Sequence, residues 1–257
     1  MRSFIAAGAI ALGLATLPMT AAHAGSTWRV TVKASTHQVV AGKKVVLSGH
    51  VRPGAAAAGS RVTLQERFQP GAKWKKKDQV KVRRDGTYTF VTRPTTSFTH
   101  SFRVVMPRSP HHAKGISPTV KVTVYAWMKL DQQASVNNDE MSFGTVNMNG
   151  TSYDDSVVQR WDTHGNVEFN VNHRCTKLRS TFGLSDDSTT GGQGEVSVQS
   201  DGTPLYSNTF DVGQTEAKTL ALDPAPLKLR LEAHNTSTGD GVLGYGAFGT
   251  PEVLCTA

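Results

Sequence analysis

Short runs of alternating apolar and polar residues, separated by glycine-containing turn dipeptides, limit the folds open to this 257-residue chain. Strands alternate with a period of two residues, and Gly or Pro pairs end them. In the first half such pairs recur at intervals suited to short strands: Ala41-Gly42, Pro53-Gly54, Pro70-Gly71 and Asp85-Gly86. We find no long amphipathic helical pattern. The chain is therefore expected to be all-β, with two β-sandwich domains.

A tight hairpin is the strongest local signal of the second half. Asp201-Gly202 separates two alternating runs, Glu195–Ser200 and Thr203–Phe210. A primed two-residue turn needs positive φ at both central residues, which an Asp-Gly pair tolerates. Asn149-Gly150 predicts a second hairpin, and Leu227–Ala233 alternates like a strand with one wet face. Together these runs predict antiparallel sheets.

At these residues the second half resembles a known family. The segments TFGLSD, GEVSVQSDGTPLYSNTF, LKLRLEA and GAFGTPEVL follow one another in the order typical of NPCBM domains. That family is the novel putative carbohydrate-binding module, first associated with glycosyl hydrolase family 98. The resemblance covers roughly residues 127–255, and Tyr153 matches the tyrosine of its pattern. It implies a galactose-binding-like jelly roll that binds sugar without catalysis.

The first half resembles the bacterial Ig-like domains of secreted actinobacterial proteins. GKKVVLSGHVRP at residues 42–53 and DGTYTF at residues 85–90 carry this resemblance. It implies an Ig-like β-sandwich in which Tyr88 is a corner tyrosine that hydrogen-bonds to nearby backbone. The candidate core residues are Trp28, Trp74, Phe90 and Phe102.

The chain divides into a leader and two domains. Residues 1–24 combine Arg2, the apolar run Phe4–Leu17 and the small-x-small site Ala22-His23-Ala24, which is typical of a cleaved secretory signal. The mature protein is then secreted, either extracellular or associated with the cell wall. The alternative is an uncleaved N-terminal anchor. We expect no integral membrane segment after cleavage. The basic Ig-like domain occupies residues 25–126, and the NPCBM-like domain occupies residues 127–257.

Cys175 and Cys255 are the only two cysteines of the chain. An even number of cysteines in an exported protein indicates a disulfide. Both lie in the second domain, so we expect a bond that joins an internal strand to the C-terminal strand.

The two halves carry opposite charge. Residues 25–126 contain 19 Lys+Arg and 3 Asp+Glu, whereas residues 127–257 contain 8 and 17. The densest basic segment is a ribbon along one predicted hairpin, made of Lys73, Lys75, Lys76, Lys77, Lys81, Arg83 and Arg84. It predicts contact with anionic cell-envelope polymers, or alternatively lysine protection of an edge strand. Nucleic acid is not an expected partner, because no recognition motif is present.

Sugar binding requires an aromatic ring for the C–H face of a pyranose and a few fixed polar groups for its hydroxyls. The carbohydrate-binding candidates of the acidic half are Trp161, Tyr245, Arg160, Asp162, Asp240 and Tyr153, with Tyr206 as a further exposed ring. The polar surroundings of Trp161 and the glycines on either side of Tyr245 favour exposure of both rings. We expect these two rings to meet at one end of the sandwich. The alternative is that each ring packs as a structural aromatic.

The sequence contains no catalytic motif, so the protein is not expected to be an enzyme. No cofactor is expected, although Asp186-Asp187-Ser188 offers oxygen atoms to a structural calcium ion. The alternative for these residues is a solvated acidic turn. Two functions are compatible with these features. One is a secreted carbohydrate-binding protein with a basic domain that contacts the envelope. The other is a structural or adhesive exoprotein without a sugar site.

Overall fold

The computed structural model describes residues 26–68, 71–161 and 163–257. The expected secretory signal, residues 1–24, lies outside the described residues. The elements of the first half are β1 (Ser26–Thr27), β2 (Arg29–Val30), β3 (Lys33–Ala34), β4 (Gln38–Val40), β5 (Val45–Arg52), α1 (Gly54–Ala57), β6 (Arg61–Arg67), β7 (Lys75–Lys81), β8 (Thr87–Thr92), β9 (Thr99–Met106), β10 (His112–Ala113), β11 (Gly115–Ile116) and β12 (Val120–Lys129). Those of the second half are β13 (Ser135–Asp139), β14 (Met141–Met148), β15 (Thr151–Gln159), β16 (His164–Asn170), β17 (Cys175–Leu184), β18 (Gln193–Ser200), β19 (Thr203–Asp211), β20 (Thr215–Ala221), β21 (Lys228–Asn235) and β22 (Gly246–Cys255). The all-β prediction is thus confirmed.

Two sheets enclose the core of the first half. Sheet A has the order β12-β9-β6-β7, with β4 and β11 attached, and sheet B joins β2, β3 and β8 to β5. Each strand turns one face inward, so β6 buries Val62 and Leu64 and exposes Arg61. The buried cluster also holds three of the predicted core residues: Trp28, Phe90 and Phe102.

The fourth predicted core residue, Trp74, lies elsewhere. The guanidinium groups of Arg67 and Arg103 lie 4.6 and 4.2 Å from the centre of its ring. Both arginines occupy outward positions on their strands, because Glu66 and Phe102 beside them are the buried ones. The Trp74 ring therefore covers the outer surface of sheet A, and assigning it to the core was wrong.

Strand β12 connects the two halves without an intervening linker. Residues 120–123 pair with β9, and residues 126–129 pair with β22. One ten-residue strand thus belongs to the sheets of both halves. Among the described residues no helix is long and apolar enough to cross a membrane, and the one helix, α1, has four residues.

Two sheets enclose the core of the second half. Sheet C contains β14, β15, β22, β17 and β20 together with the end of β12, and sheet D has the order β13-β16-β21-β18-β19. Alternating residues of both sheets meet between them. Phe182 and Phe248 of sheet C are fully buried with Phe169 and Leu231 of sheet D. At about 25 cal/mol per Å² of buried apolar area, this interior is the main source of stability.

Both predicted hairpins are present. Asp201 and Gly202 have φ of 49° and 79° and join β18 to β19, and Asn149-Gly150 joins β14 to β15 with φ of 49° and 68°. The Asp201 carboxylate has a second role, since it accepts hydrogen bonds from the backbone amides of Leu227 and Lys228 at 3.1 and 2.8 Å. These bonds hold the pKa of Asp201 below its usual value. The turn thereby anchors the start of β21.

The predicted disulfide is confirmed. Cys175 begins β17 and Cys255 ends β22, and the two residues are direct partners in the register of these strands. The bond closes a loop across 80 positions of sequence and ties the C-terminal strand to the interior of sheet C.

Candidate functional site

One end of the second sandwich holds a cavity lined by two aromatic side chains. Its volume is about 410 Å³, within the range of about 300–1,000 Å³ that small-molecule sites occupy. We call it the aromatic cavity. Its lining residues are Thr145, Val146, Val158, Gln159, Arg160, Trp161, Ser185, Asp187 and Tyr245. Valines form an apolar floor, and the two rings are surrounded by charged and hydrogen-bonding groups.

Hydrogen bonds hold the two loops that carry Ser185 and Tyr245 against each other. The Ser185 amide donates to the Tyr245 carbonyl at 2.8 Å, and the Tyr245 amide donates to Ser188 Oγ at 2.9 Å. Gln159 is buried, and its side-chain oxygen accepts the Gly246 amide at 3.2 Å. Because the loops are fixed at both backbone and side chain, the cavity wall is formed before any ligand arrives.

Trp161 stands at the rim in an exposed and strained conformation. It has a relative exposure of 80%, far above that of any other large apolar side chain described. Its φ of 60° lies in the left-handed region, which non-glycine residues rarely adopt. Residues held in such conformations concentrate at binding sites, where the surrounding structure compensates the strain. The ring is thus presented to solvent instead of being packed in the sandwich.

Three of the six predicted sugar-site residues come together here: Arg160, Trp161 and Tyr245 line the aromatic cavity. Tyr153 lines a different cavity of about 400 Å³ beside Arg179 and Lys218 on the outer face of sheet C. Asp240 is exposed and does not line the aromatic cavity. Asp162 lies outside the described residues. Tyr153 pairs in register with the cavity residue Val146, but neither Tyr153 nor Asp240 lines the aromatic cavity, so their part in a shared sugar site stays a prediction.

The sequence reasoning missed four polar groups of this cavity: Thr145, Gln159, Ser185 and Asp187. The sequence presents Asp187 as part of an acidic turn, and this pattern does not place it at a cavity. The four groups reach the aromatic cavity because β15 and the loop after β17 both border β22, and β14 pairs with β15. Such adjacency arises from strand order and leaves no local signal.

Tyr206 is not an exposed ring. It is 9% exposed and packs on Phe182 at 4.5 Å between ring centroids. Its hydroxyl donates to Glu216 at 2.6 Å. Burial, together with this carboxylate, raises the pKa of Tyr206. The residue therefore belongs to the core edge.

The calcium hypothesis finds little support in the side chains. Asp186 accepts a hydrogen bond from the Gly150 amide at 2.9 Å, and buried Ser188 accepts one from the Tyr245 amide. One carboxylate oxygen of Asp186 and the hydroxyl of Ser188 therefore already accept hydrogen bonds from backbone amides. Within the described ranges no group of three or more His, Cys, Asp or Glu side chains is placed to hold a metal ion.

The outer face of sheet D carries a third cavity, of about 370 Å³, and most of the residues that line it are polar. His164 contacts Glu232 at 2.6 Å, and Gln199 donates to the same carboxylate at 2.9 Å. Apart from two histidines, the only aromatic residue that lines this cavity is Tyr206, and its ring is buried. Without an exposed ring to stack on, this surface fits a sugar less well than the aromatic cavity.

The predicted cationic ribbon is divided among several surfaces. Strand β7 pairs with β6 in sheet A, whereas β8 pairs with β5 in sheet B, so they do not form the expected hairpin. Lys77 forms an ion pair with Glu66 at 3.0 Å, and Lys73 and Lys75 line a cavity of about 290 Å³ beside that carboxylate.

The other ribbon residues separate as well. Lys76 and Lys81 face outward from sheet A. The Arg83 guanidinium donates to the Thr87 hydroxyl on β8 at 3.3 Å, and Arg84 is exposed in the turn before β8. A ribbon along one hairpin was wrong, because a bulge and a change of sheet send neighbouring lysines to different sides. Strand β7 does lie at the sheet edge, as the edge-protection alternative expects.

No protein-family model and no curated protein matches the sequence. Among solved structures, the fold is similar to the CBM51-2 and INT domains from Clostridium perfringens ZmpB, with a TM-score of 0.43 and 8% identity over 63% of this chain and 38% of that chain. It is also similar to CBM51 from Clostridium perfringens GH95 in complex with methyl-galactose, with a TM-score of 0.39 and 13% identity over 49% and 99% of the two chains. A third similar structure is carbohydrate-binding module CBM36 in complex with calcium and xylotriose, with a TM-score of 0.30 and 10% identity over 50% of this chain and 98% of that chain. These structural neighbours are carbohydrate-binding modules, and at such TM-scores and identities the likeness assigns no function.

Proposed function

We propose that this protein is a secreted, non-catalytic carbohydrate-binding protein whose aromatic cavity holds a neutral sugar. The observation that carries the proposal is the convergence of Trp161 and Tyr245 on one cavity of about 410 Å³. Residues 127–257 then act as an NPCBM-like, galactose-binding-like module. Residues 25–126 act as an Ig-like module that contacts anionic cell-envelope polymers.

The composition of the cavity suits a pyranose. One face of a sugar ring is apolar and stacks on an aromatic side chain, while its hydroxyls need donors and acceptors at the edge. Trp161 offers the exposed ring, and Val146 and Val158 offer an apolar floor. Arg160 donates and Asp187 accepts, so both polarities of a hydroxyl group can be satisfied.

The absence of a catalytic motif from the sequence agrees with binding as the only activity. Export agrees with the signal-like residues 1–24 and with the disulfide Cys175–Cys255, since disulfides persist in oxidising compartments. The excess of 19 basic over 3 acidic residues in 25–126 supports electrostatic attachment to anionic polymers.

Titration calorimetry of the full mature chain against neutral glycans, chosen from an array, tests the sugar site. Trp161→Ala removes the stacking ring, so we expect a loss of about 1–2 kcal/mol of binding free energy, roughly a five- to thirtyfold weaker affinity. Trp161→Phe keeps a ring and should retain most of the affinity. Because Trp161 is 80% exposed, the melting temperature should change little.

Lys218→Ala is the matched control, because this exposed side chain lines the other cavity and not the aromatic cavity. It should leave the affinity for neutral glycans unchanged. Loss of binding in Lys218→Ala with full binding in Trp161→Ala would move the site to the other cavity and contradict the assignment. A wild-type protein that retains no glycan on the array would leave the adhesive function as the better description.

A further inference from the structure

The register of sheet A gathers basic side chains from four strands on its outer face. The residues that face inward on β6, β9 and β12 are buried, so the residues between them face solvent. Lys76 and Lys81 lie on the same side, because they pair in register with the outward-facing Gln65 and Arg61. We call the resulting surface the cationic face; its basic residues are Arg61, Arg67, Lys76, Lys81, Arg103 and Lys121.

None of the three carboxylates in residues 25–126 lies on this face. Glu66 is buried on the inner side of β6 and binds Lys77 and His100. Asp78 pairs in register with inward-facing Leu64, and Asp85 bonds Thr87 in the turn before β8. Among the described residues the six cations therefore have no ion-pair partner. Their charge is available to an anion from outside the protein.

One end of the face contains two guanidinium groups that share one aromatic ring. Arg67 and Arg103 lie over Trp74 at 4.6 and 4.2 Å, a geometry that aromatic rings stabilise for arginine. Arg103 is oriented further by a 2.8 Å hydrogen bond from its Nε to Gln65. Burial, and then the nearby charge of Arg67, lower the pKa of Arg103.

Arg67 carries an unfilled donor at the same position. Its Nε atom is buried and has no hydrogen-bond partner among the described residues. A buried donor without a partner is unfavourable, and so is a pair of like charges. The cost of the like charges falls when an oxyanion accepts hydrogen bonds from the accessible nitrogens of the two guanidinium groups, whose planar forks match a carboxylate or sulfate.

We propose that the cationic face binds an acidic polysaccharide, with a carboxylate or sulfate group held between Arg67 and Arg103. The inference rests on the proposed contact between the basic half and anionic polymers, and it adds the face and the ligand chemistry. Neutral amide and hydroxyl side chains separate the cations, including Thr63, Gln65 and Ser101, and these suit sugar hydroxyls. Single-stranded nucleic acid is favoured less, because the guanidinium groups cover the one ring available for base stacking.

Affinity measurements on the full mature chain test this surface. The probes are polygalacturonate for carboxylate and dextran sulfate for sulfate, with neutral dextran as the blank. Arg67→Gln with Arg103→Gln should weaken binding of the better acidic probe at least about tenfold, since charged hydrogen bonds are lost.

Lys43→Gln with Lys44→Gln is the matched control. It removes the same charge from an exposed turn and should change binding less than about twofold. Arg61→Gln with Lys81→Gln, at the other side of the face, provides a second variant should the arginine pair fail to fold, and it should also weaken binding.

Two outcomes overturn the inference alone. One is equal loss in the face variants and in the Lys43/Lys44 variant, which would mean that net charge decides. The other is tighter binding of single-stranded DNA than of both acidic polysaccharides at matched charge concentration. If the wild-type chain binds neither acidic probe at low salt, the anionic-polymer part of the proposed function fails too. The neutral-sugar part is judged separately by the Trp161 variants.

Discussion

The Tyr88 hydroxyl lies inside the first sandwich, where the ring is 1% exposed, and it donates a hydrogen bond to the Thr31 carbonyl. The bond to backbone that the corner-tyrosine expectation names is present, but the expected partner was wrong: it is not nearby backbone, and lies 57 positions away on a segment that reaches Tyr88 across sheet B. Burial raises the pKa of Tyr88, so the hydroxyl stays protonated and can keep donating. One buried hydroxyl therefore joins two distant segments.

Tyr88→Phe should lower the free energy of unfolding by about 1–2 kcal/mol, because the Thr31 carbonyl loses its buried partner. Urea denaturation followed by circular dichroism measures this. Tyr125→Phe is the matched control, since no hydrogen bond to its hydroxyl occurs among the described residues and it is only half-buried. A Tyr88 variant as stable as the Tyr125 variant would show that the bond contributes nothing.

At the scale of elements, a buried carboxylate links three strands of sheet A. Glu66 of β6 is 5% exposed and contacts His100 of β9 at 2.8 Å and Lys77 of β7 at 3.0 Å. Burial opposes ionisation of Glu66, but the hydrogen bonds from His100 and Lys77 outweigh it and hold the pKa below its usual value of 4.5. The ionised group thus stabilises the folded state at pH values above the pKa that Glu66 has in the unfolded chain. This contribution disappears as the pH falls through the lower pKa of the folded state.

In Glu66→Gln the free energy of unfolding should therefore depend less on pH below about pH 5. At pH 7 the same variant should lose about 1–3 kcal/mol of unfolding free energy. Chemical denaturation at a series of pH values measures both effects. Glu195→Gln, a half-buried glutamate of the second half, is the control. An unchanged acid limb in Glu66→Gln would exclude this carboxylate as the source of the pH dependence.

The disulfide links two strands, because it joins the first residue of β17 to the last residue of β22. In the chain-entropy description, a closed loop spanning 80 positions is stabilised by about 4–5 kcal/mol at most. Cys175→Ser with Cys255→Ser should therefore lower the melting temperature markedly, and dithiothreitol should do the same to the wild type. Alkylation of two free thiols in the non-reduced secreted protein would contradict the bond.

At the scale of the whole molecule, we expect the two halves to unfold together because they share strand β12. Its first residues pair with β9 and its last residues pair with β22. Insertion of a short Gly-Ser segment after Tyr125 interrupts this strand between the two sets of bonds. We expect calorimetry to separate one cooperative transition into two, since each sandwich keeps its own core. A thermogram identical to that of the wild type would show that the halves unfold independently already.

Local sequence was sufficient for the strands and the hairpins. A period of two residues reports which side chains share a face of one strand, and Asp201-Gly202 reports a turn because few residues accept positive φ. The charge asymmetry between the halves is likewise a property of composition. None of these signals depends on which strands become neighbours.

Only the tertiary structure decided which surfaces those residues form. Arg67 and Arg103 lie on strands that are distant in sequence, and register brings both to Trp74. The bulge opposite Leu64 and Gln65 accompanies the turn of Lys77 toward Glu66, away from the lysine beside it. The aromatic cavity likewise required β15 and the loop after β17 to border β22. A local pattern specifies alternation along a strand, whereas pairing order and bulges arise from packing of the whole chain, because they are set by contacts between segments far apart in sequence.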